Sequence, residues 1–421
     1  MRIRKSQIKE FILVITVLLI ILMSKTLYFG VINRRYYQYV FYIFVIISLL
    51  VSKISKNDIS KGIAMISPLL GLAGISFILY HSQMSSENIN QLLGTMLVII
   101  FSMIAAIVLG KQRFAVFYIR FIVIICLVSL FCFLIANFDP DTAYKLCQPG
   151  YDWRTRYGYS FFYTWGWNGV IFKRNSGMFW EPGAFQGFLF LAMLLMIFET
   201  DLYRIKHRKS AFLVLTITML TTQSTTGYIL LIILILICWT RVQKIFGDIP
   251  KSVRLIVVLL LGLSVIYIII SSNNIANKFS GSTGESVRIR FLDIVGGLIL
   301  CLKGGVFGLG ENAAKESMKA LVGINIDDSA GLLSMTYTYG LLFGAYYIGL
   351  MCKGIKKTFS TCTPMEYAML LLSFFILHLT EGLWNLPVYL VCIFVGFFER
   401  TNTSGYRSKA FGAEGYSSQI Q

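Results

Sequence analysis

The sequence predicts an all-α polytopic membrane protein, and three observations predict it. Of 421 residues, 56% are apolar and only 14% charged, with a mean hydropathy of +0.71, which lies outside the range of water-soluble domains. The apolar residues fall into about a dozen separate runs, each near the length of a bilayer crossing. The Lys and Arg residues fall between these runs and mostly on one side of them. Twelve spans of roughly 20 residues use about 240 positions and leave about 180 for loops, so no large soluble enzyme domain fits. The formal charge of +18 is scattered between apolar runs, which excludes a nucleic-acid-binding patch.

The first run, Phe11 to Met23, follows a basic head of Arg2, Arg4, Lys5 and Lys9. It reads as an uncleaved first span, because Ser24-Lys25-Thr26-Leu27 offers no small-x-small cleavage site. Further runs lie at about 36–52, 63–80, 92–110, 114–137, 183–199, 211–223, 226–240, 254–271, 331–352, 364–380 and 385–398. Alternating them from a cytoplasmic N-terminus puts Lys53/Lys56/Lys61, Lys111/Arg113, Arg204 to Lys209, Arg241 to Arg254, Lys353 to Lys357 and Arg400 to Lys409 inside. The opposite short loops hold only Lys25, Arg34 and Arg35. That asymmetry orients the chain with both termini inside.

The same asymmetry decides two ambiguous stretches. Residues 211–240 have basic clusters on both sides, so they form a hairpin of two short helices turning near Gln223-Ser224-Thr225-Thr226. The run Phe291 to Leu302 has about 12 residues, too few to cross, and is expected to lie in the outer interface with Phe291, Ile294, Val295, Leu298 and Leu302 on its apolar stripe. The organisation that follows is one transmembrane domain over 1–400 and a cytoplasmic tail over 401–421. Two long outward loops, 138–182 and 272–330, contain short helices and carry 11 of the 14 outward Lys/Arg. Function concentrates there, since twelve helices need no long polar loops to hold together.

In the first loop Arg154, Arg156, Trp153, Tyr157, Trp165 and Trp167 precede Lys173-Arg174-Asn175-Ser176-Gly177-Met178-Phe179-Trp180-Glu181-Pro182. Rings interleaved with guanidinium forks suit a sugar phosphate; the alternative is an interfacial aromatic belt. Pro182 fits the first turn of a span and places Glu181 at or next to its N-cap, where the helix dipole stabilises an anion. Glu181 either serves as a base or caps the helix. In the second loop Arg288 and Arg290 precede the interfacial stretch, and Gly304-Gly305 with Gly308-Leu309-Gly310 permits close backbone approach or an anion cradle.

Other residues are set aside. Asp327-Asp328 read as a loop end rather than a metal site, and His81, His207 and His378 show no zinc spacing. Only Cys147 and Cys301 lie on the outer side, so at most one disulfide forms. The hydroxyl-rich turn Thr221 to Gly227 satisfies its own backbone or offers a half-helix end to a ligand. Glu381, at an outer helix end, either lines the same cavity or is simply exposed at the interface, the second reading being favoured.

Taken in order, Arg174-x-x-Gly177-x-Phe179-x-Glu181-Pro182, the hydroxyl-rich hairpin, Ser286-x-Arg288, Gly308-x-Gly310, Asp327-Asp328 and Tyr339-Gly340-Leu341-Leu342-Phe343-Gly344 resemble bacterial O-antigen and capsule polymerases of the Wzy type. The resemblance covers about residues 115–398. It implies a GT-C-like membrane fold and a glycosyltransferase that uses neither metal nor cofactor. It implies action on undecaprenyl diphosphate-linked oligosaccharides at the periplasmic face of the inner membrane, in lipopolysaccharide or capsule biosynthesis.

On that resemblance Glu181 and Arg288 are the catalytic residues, the first for the acceptor hydroxyl and the second for pyrophosphate. Arg174, Arg290, Gly177, Arg154 and Asp328 bind substrate. Membrane lipid lies against the Phe291–Leu302 helix, and a chain-length regulator and a flippase are the expected partners. O-antigen ligases are related, but where they carry a His-Asn pair this chain reads Ser329-Ala330 after Asp328, which favours a polymerase. A lipid-linked oligosaccharide flippase or transporter would place charge inside the spans, where this chain has almost none.

Overall fold

The structure, a computed structural model, describes residues 5–80, 85–146, 157–159, 162–165, 172–198, 205, 207–247, 250–271, 285–322 and 330–398. These are helical except for loops and one two-stranded antiparallel ribbon, β1 (Tyr157–Tyr159) with β2 (Tyr163–Trp165). The first helices are α1 (Lys5–Leu22), a π-helical turn (Leu27–Ile32), α2 (Arg34–Val51), α3 (Lys56–Tyr80), α4 (Ser86–Phe138) and α5 (Pro140–Leu146). Then come α6 (Pro182–Phe198), α7 (Arg208–Thr221), α8 (Thr225–Ile237), α9 (Trp239–Phe246) and α10 (Lys251–Ser271). The last six are α11 (Glu285–Gly304), α12 (Glu311–Val322), α13 (Gly331–Tyr339), α14 (Leu341–Thr358), α15 (Pro364–Thr380) and α16 (Pro387–Val395).

Among the described residues two helices, Lys56–Tyr80 and Ile89–Phe138, are long and apolar enough to cross a membrane, and the pair α8 and α9, bent by 84°, makes a third if read as one span. The second of these breaks at Gly110 (φ +65°, ψ 165°), a conformation only glycine adopts without strain. Contacts show that its two limbs run antiparallel. Gly94 on the first limb accepts from Gln38 at 3.4 Å, Gly110 lies at the far end beside the Phe398 carbonyl, and Asn137 returns to accept the Lys173 N–H at 2.6 Å.

The helix ends sort into two groups. At one end Lys61 donates to the Phe397 carbonyl at 2.7 Å, Arg113 pairs with Glu10 at 3.7 Å, and Arg241 grips Glu366 through two hydrogen bonds of 2.6 and 2.8 Å. Lys356 and Lys357 share a cleft with Lys61 there. At the opposite end the Val388 N–H donates to Ser24 Oγ at 3.1 Å, Tyr80 donates to the Gly308 carbonyl at 2.6 Å, and Leu27 donates to the Met178 carbonyl at 2.9 Å. Among the described residues, Lys61, Arg113, Arg241, Lys356 and Lys357 thus gather at one end.

Helices α6 and α16 form the centre, buried along their whole lengths. Their sequences are apolar on every side, and a helix without a polar face is stable only when surrounded. The outer surface is apolar as well, with Leu50, Phe131, Leu263 and Leu302 among many exposed large side chains, as expected of a surface that meets lipid rather than water.

Three expectations can be compared with the fold. The 211–240 hairpin is present, α7 and α8 turning through Thr222–Ser224 with Gln223 at φ +46°. The 291–302 stretch is helical but longer, Glu285–Gly304, with Phe291, Leu298 and Leu302 exposed and Ile294 and Val295 half-buried. The span expected at 331–352 is corrected: the chain breaks at Gly340 (φ +99°), and α13 stays at the end opposite the basic loops while α14 alone runs to the basic end. Both ends of α13 fix this, Gly331 packing on Gly382 and Tyr339 on the Trp384 ring at 5.9 Å.

Candidate functional site

The site builds outward from the start of α6. Residues 174–181 form a strap held on two sides. On one side the Asn175 N–H donates to the Thr221 carbonyl at 2.9 Å, Asn175 Nδ2 donates to Thr221 Oγ1 at 3.0 Å, and Arg174 Nε donates to the Thr222 carbonyl at 3.0 Å. On the other side Thr26 and Phe179 form a β-bridge, and the Trp180 N–H donates to the Lys25 carbonyl at 2.8 Å. The hydroxyl-rich turn is therefore used to anchor the strap. Gly177 turns the strap at φ +54° with its N–H on Asn175 Oδ1 at 2.9 Å, and a Cβ there would meet the Phe185 ring at 2.9 Å.

The strap delivers the chain into α6 as its sequence predicts. Pro182 is the first helical residue, and the Glu181 carbonyl accepts the first helical hydrogen bond, from the Phe185 N–H at 3.1 Å. Glu181 is half-buried at the positive end of the helix dipole.

A second carboxylate reaches the same helix end. Glu381, at the C-cap of α15, is 1% exposed, which overturns the favoured of its two readings, simple exposure at the interface. Its carboxylate lies against the Cα of Gly183 so closely that any Cβ there would overlap it. Lys25 pairs with it at 3.7 Å. Lys25 holds a left-handed backbone (φ 57°), a strained conformation for a residue with a side chain, immediately before the π-helical turn, which Thr26 caps by accepting the Gly30 N–H at 3.1 Å.

Two clefts meet at Lys25, Gly382 and Asn385. One, about 160 Å³, is walled by Gln91, Thr95, Glu311, Lys315, Tyr337 and Trp384. The other, about 250 Å³, lies between the π-helical turn and α2, with Arg34 and Gln38 at its polar side and Met23, Val31, Phe41 and Val98 on its apolar side. Each is below the roughly 300–1,000 Å³ of a pocket that swallows a whole ligand, so each is of a size for a ring or a head group.

The Gly-rich stretch does not cradle an anion. Its amides are spent on α13: Leu309 donates to the Tyr337 carbonyl at 2.9 Å and Gly310 to the Thr338 carbonyl at 3.1 Å. Gly308 (φ +83°) then packs on the backbone of Thr338 and Gly340, and Gly340 (φ +99°) on that of Val306 and Phe307, so neither position has room for a Cβ. Of the two open readings, close approach is the observed one. Asp293, 1% exposed, accepts the Ala330 N–H at 2.8 Å and ties α11 to α13.

Of the residues predicted from sequence, Arg174, Gly177 and Glu181 share the strap. Arg288 and Arg290 lie in the first two turns of α11. Arg154 and Asp328 lie outside the described residues, as does Cys147. Among the described residues no group of three or more His, Cys, Asp or Glu could hold a metal ion. Sequence reasoning missed Lys25, Arg34, Asp293 and the burial of Glu381. Compared with known proteins, the chain matches no family model, no curated protein and no solved structure.

Below Glu381 the wall of α6 is set by glycine. A Cβ at Gly187 would stand 2.5 Å from the Tyr389 hydroxyl, which is buried and has no hydrogen-bond partner among the described residues. The Tyr389 ring is packed by His378, Phe374 and Phe188, so it cannot swing away. Gly187→Ala is expected to destabilise the fold by about 1–3 kcal/mol through overpacking. Tyr389→Phe removes an unsatisfied buried hydroxyl, which costs little or nothing, and restores stability in the Gly187→Ala background. Thermal unfolding of the four proteins in detergent checks this; equal losses with and without the Tyr389 hydroxyl would sink it.

Proposed function

We propose that the protein joins oligosaccharide repeat units carried on undecaprenyl diphosphate, as an O-antigen or capsule polymerase with about twelve spans, a GT-C-like fold and both termini inside. The observation that carries this reading is the convergence of two small clefts on Lys25, beside two carboxylates at the start of α6, on the face opposite the basic loops. A lipid diphosphate sugar brings its own leaving group, so the protein has to supply cations and orientation more than covalent chemistry.

In the step proposed, an acceptor hydroxyl oxygen bonds to the anomeric carbon of the donor sugar as the bond from that carbon to the diphosphate oxygen breaks. Both bonding electrons leave with undecaprenyl diphosphate, and the hydroxyl proton passes to a carboxylate. Glu181, half-buried, takes the acceptor proton. Its place at a helix N-terminus also lowers its basicity, so it acts on a hydroxyl already engaged with the donor. Glu381, buried and paired, holds the Lys25 ammonium at the junction, where negative charge develops, and Arg174, Arg288 and Arg290 are the further cations assigned to the pyrophosphate. The runner-up is a ligase that moves finished polymer to lipid A core, an arrangement that would use the same cations.

The glycan profile of a deletion strain, complemented with the wild type or with Arg288→Ala, tests this. A surface glycan limited to one repeat, a ladder restored by the wild type, and no ladder from Arg288→Ala at normal membrane levels are the expected results. Full-length polymer retained on its lipid carrier would mean a ligase, and single repeats trapped inside would mean a flippase.

A further inference from the structure

Resting on that reading, we propose that the two clefts divide the substrates: the one between the π-helical turn and α2 holds the prenyl diphosphate of the donor, and the one under α12 and α13 holds the acceptor saccharide. Charge separates them first. Lys25, paired with Glu381 at 3.7 Å, is common to both clefts; the α2 cleft adds the Arg34 guanidinium and has no carboxylate among its described lining residues. In the α13 cleft Lys315 already pairs with Glu311 at 3.2 Å, so a second anion placed there meets the Glu311 carboxylate.

Surface character separates them again. The α2 cleft has an amphiphile's lining, Arg34 and Gln38 beside Val31, Phe41 and Val98. It opens where Val31, Ile32 and Tyr36 are exposed, next to the apolar outer surface. A diphosphate held by Arg34 in this cleft leaves its prenyl tail against that surface. Arg34 is also the first residue of an 18-residue helix, so the positive dipole end adds to the guanidinium. The α13 cleft is lined instead by amide, hydroxyl and aromatic groups, Gln91, Thr95, Tyr337 and Trp384, the set that hydrogen-bonds and stacks on uncharged sugars. Lys25 borders both, so its ammonium stands where the two substrates touch.

Binding to the purified protein in lipid nanodiscs separates the two clefts, with farnesyl diphosphate as the donor probe and pyrophosphate and farnesol as its halves. Arg34→Gln, and Val31→Trp as a filler at an exposed wall position, are expected to weaken farnesyl diphosphate by roughly tenfold or more, the worth of a charge-assisted contact. Lys315→Gln, at a half-exposed ion pair, is expected to leave it within about twofold. Pyrophosphate competing as well as farnesyl diphosphate would overturn the amphiphile assignment, leaving a plain anion site. Loss of binding in Lys315→Gln with normal binding in Arg34→Gln and Val31→Trp would overturn the division of the clefts. Neither result touches the polymerase reading, which the glycan ladder decides separately.

Discussion

Lys25→Met is expected to cut repeat-unit joining by roughly 10²–10³-fold, the effect of removing one preorganised charge from a site where negative charge develops. Three features converge on this residue. It borders both clefts, it pairs with a carboxylate that is 1% exposed, and its backbone is held left-handed at φ 57°. A conformation that costs of order 1–3 kcal/mol persists where the surroundings impose it, often for function. Here the β-bridge of Thr26 with Phe179 and the Trp180 hydrogen bond to the Lys25 carbonyl impose it.

Glu381→Gln keeps the shape and removes the charge that holds the ammonium, so a smaller loss, about tenfold, is expected, with the rate falling more than apparent substrate affinity. Lys25→Arg keeps the charge and should restore part of the activity lost in Lys25→Met. The measurement is repeat-unit joining per folded molecule, with thermal stability followed in parallel. A drop in stability with an unchanged rate per folded molecule would mean that Lys25 and Glu381 only brace the helix ends.

The path of the chain was legible wherever charge and hydropathy agreed. Basic clusters on both sides of 211–240 force a hairpin, and α7 and α8 form one. Pro182 after Glu181 marks the first turn of α6 to the residue. Lys25 and Arg34 carried a signal that went unused: they are two of the three cations on the short outward loops, the others of that face lying in its two long loops. The burial of Glu381 was not legible, because it depends on Gly183, far away in the chain, and no local pattern near His378 to Trp384 reports that distant contact. Gly340 misled for a related reason. Glycine is common inside membrane helices, so Tyr339-Gly340-Leu341 read as mid-span, whereas Gly340 breaks the chain at φ +99° where it packs on the distant Val306–Phe307 backbone.

That break yields the other large expected effect. Gly340→Ala puts a side chain at φ +99°, which costs about 1–3 kcal/mol in backbone strain alone. It also drives a Cβ into the Val306 carbonyl, backbone that the hydrogen bond from the Leu341 N–H to the Gly305 carbonyl at 3.0 Å holds in place. Overpacking adds a further 1–3 kcal/mol or so. The loss should fall locally, because the packing of Gly340 on Val306–Phe307 and of Gly308 on Thr338 fixes α13, and α13 carries Tyr337 into the cleft proposed for the acceptor, while the α2 cleft is built from the first two helices and the turn between them, α4 and the start of α16. In nanodiscs, Gly340→Ala should therefore lose acceptor use and repeat-unit joining yet still bind farnesyl diphosphate. Loss of both together, in protein that remains monodisperse, would show that the clefts are one cooperative unit and not two sites sharing a lysine.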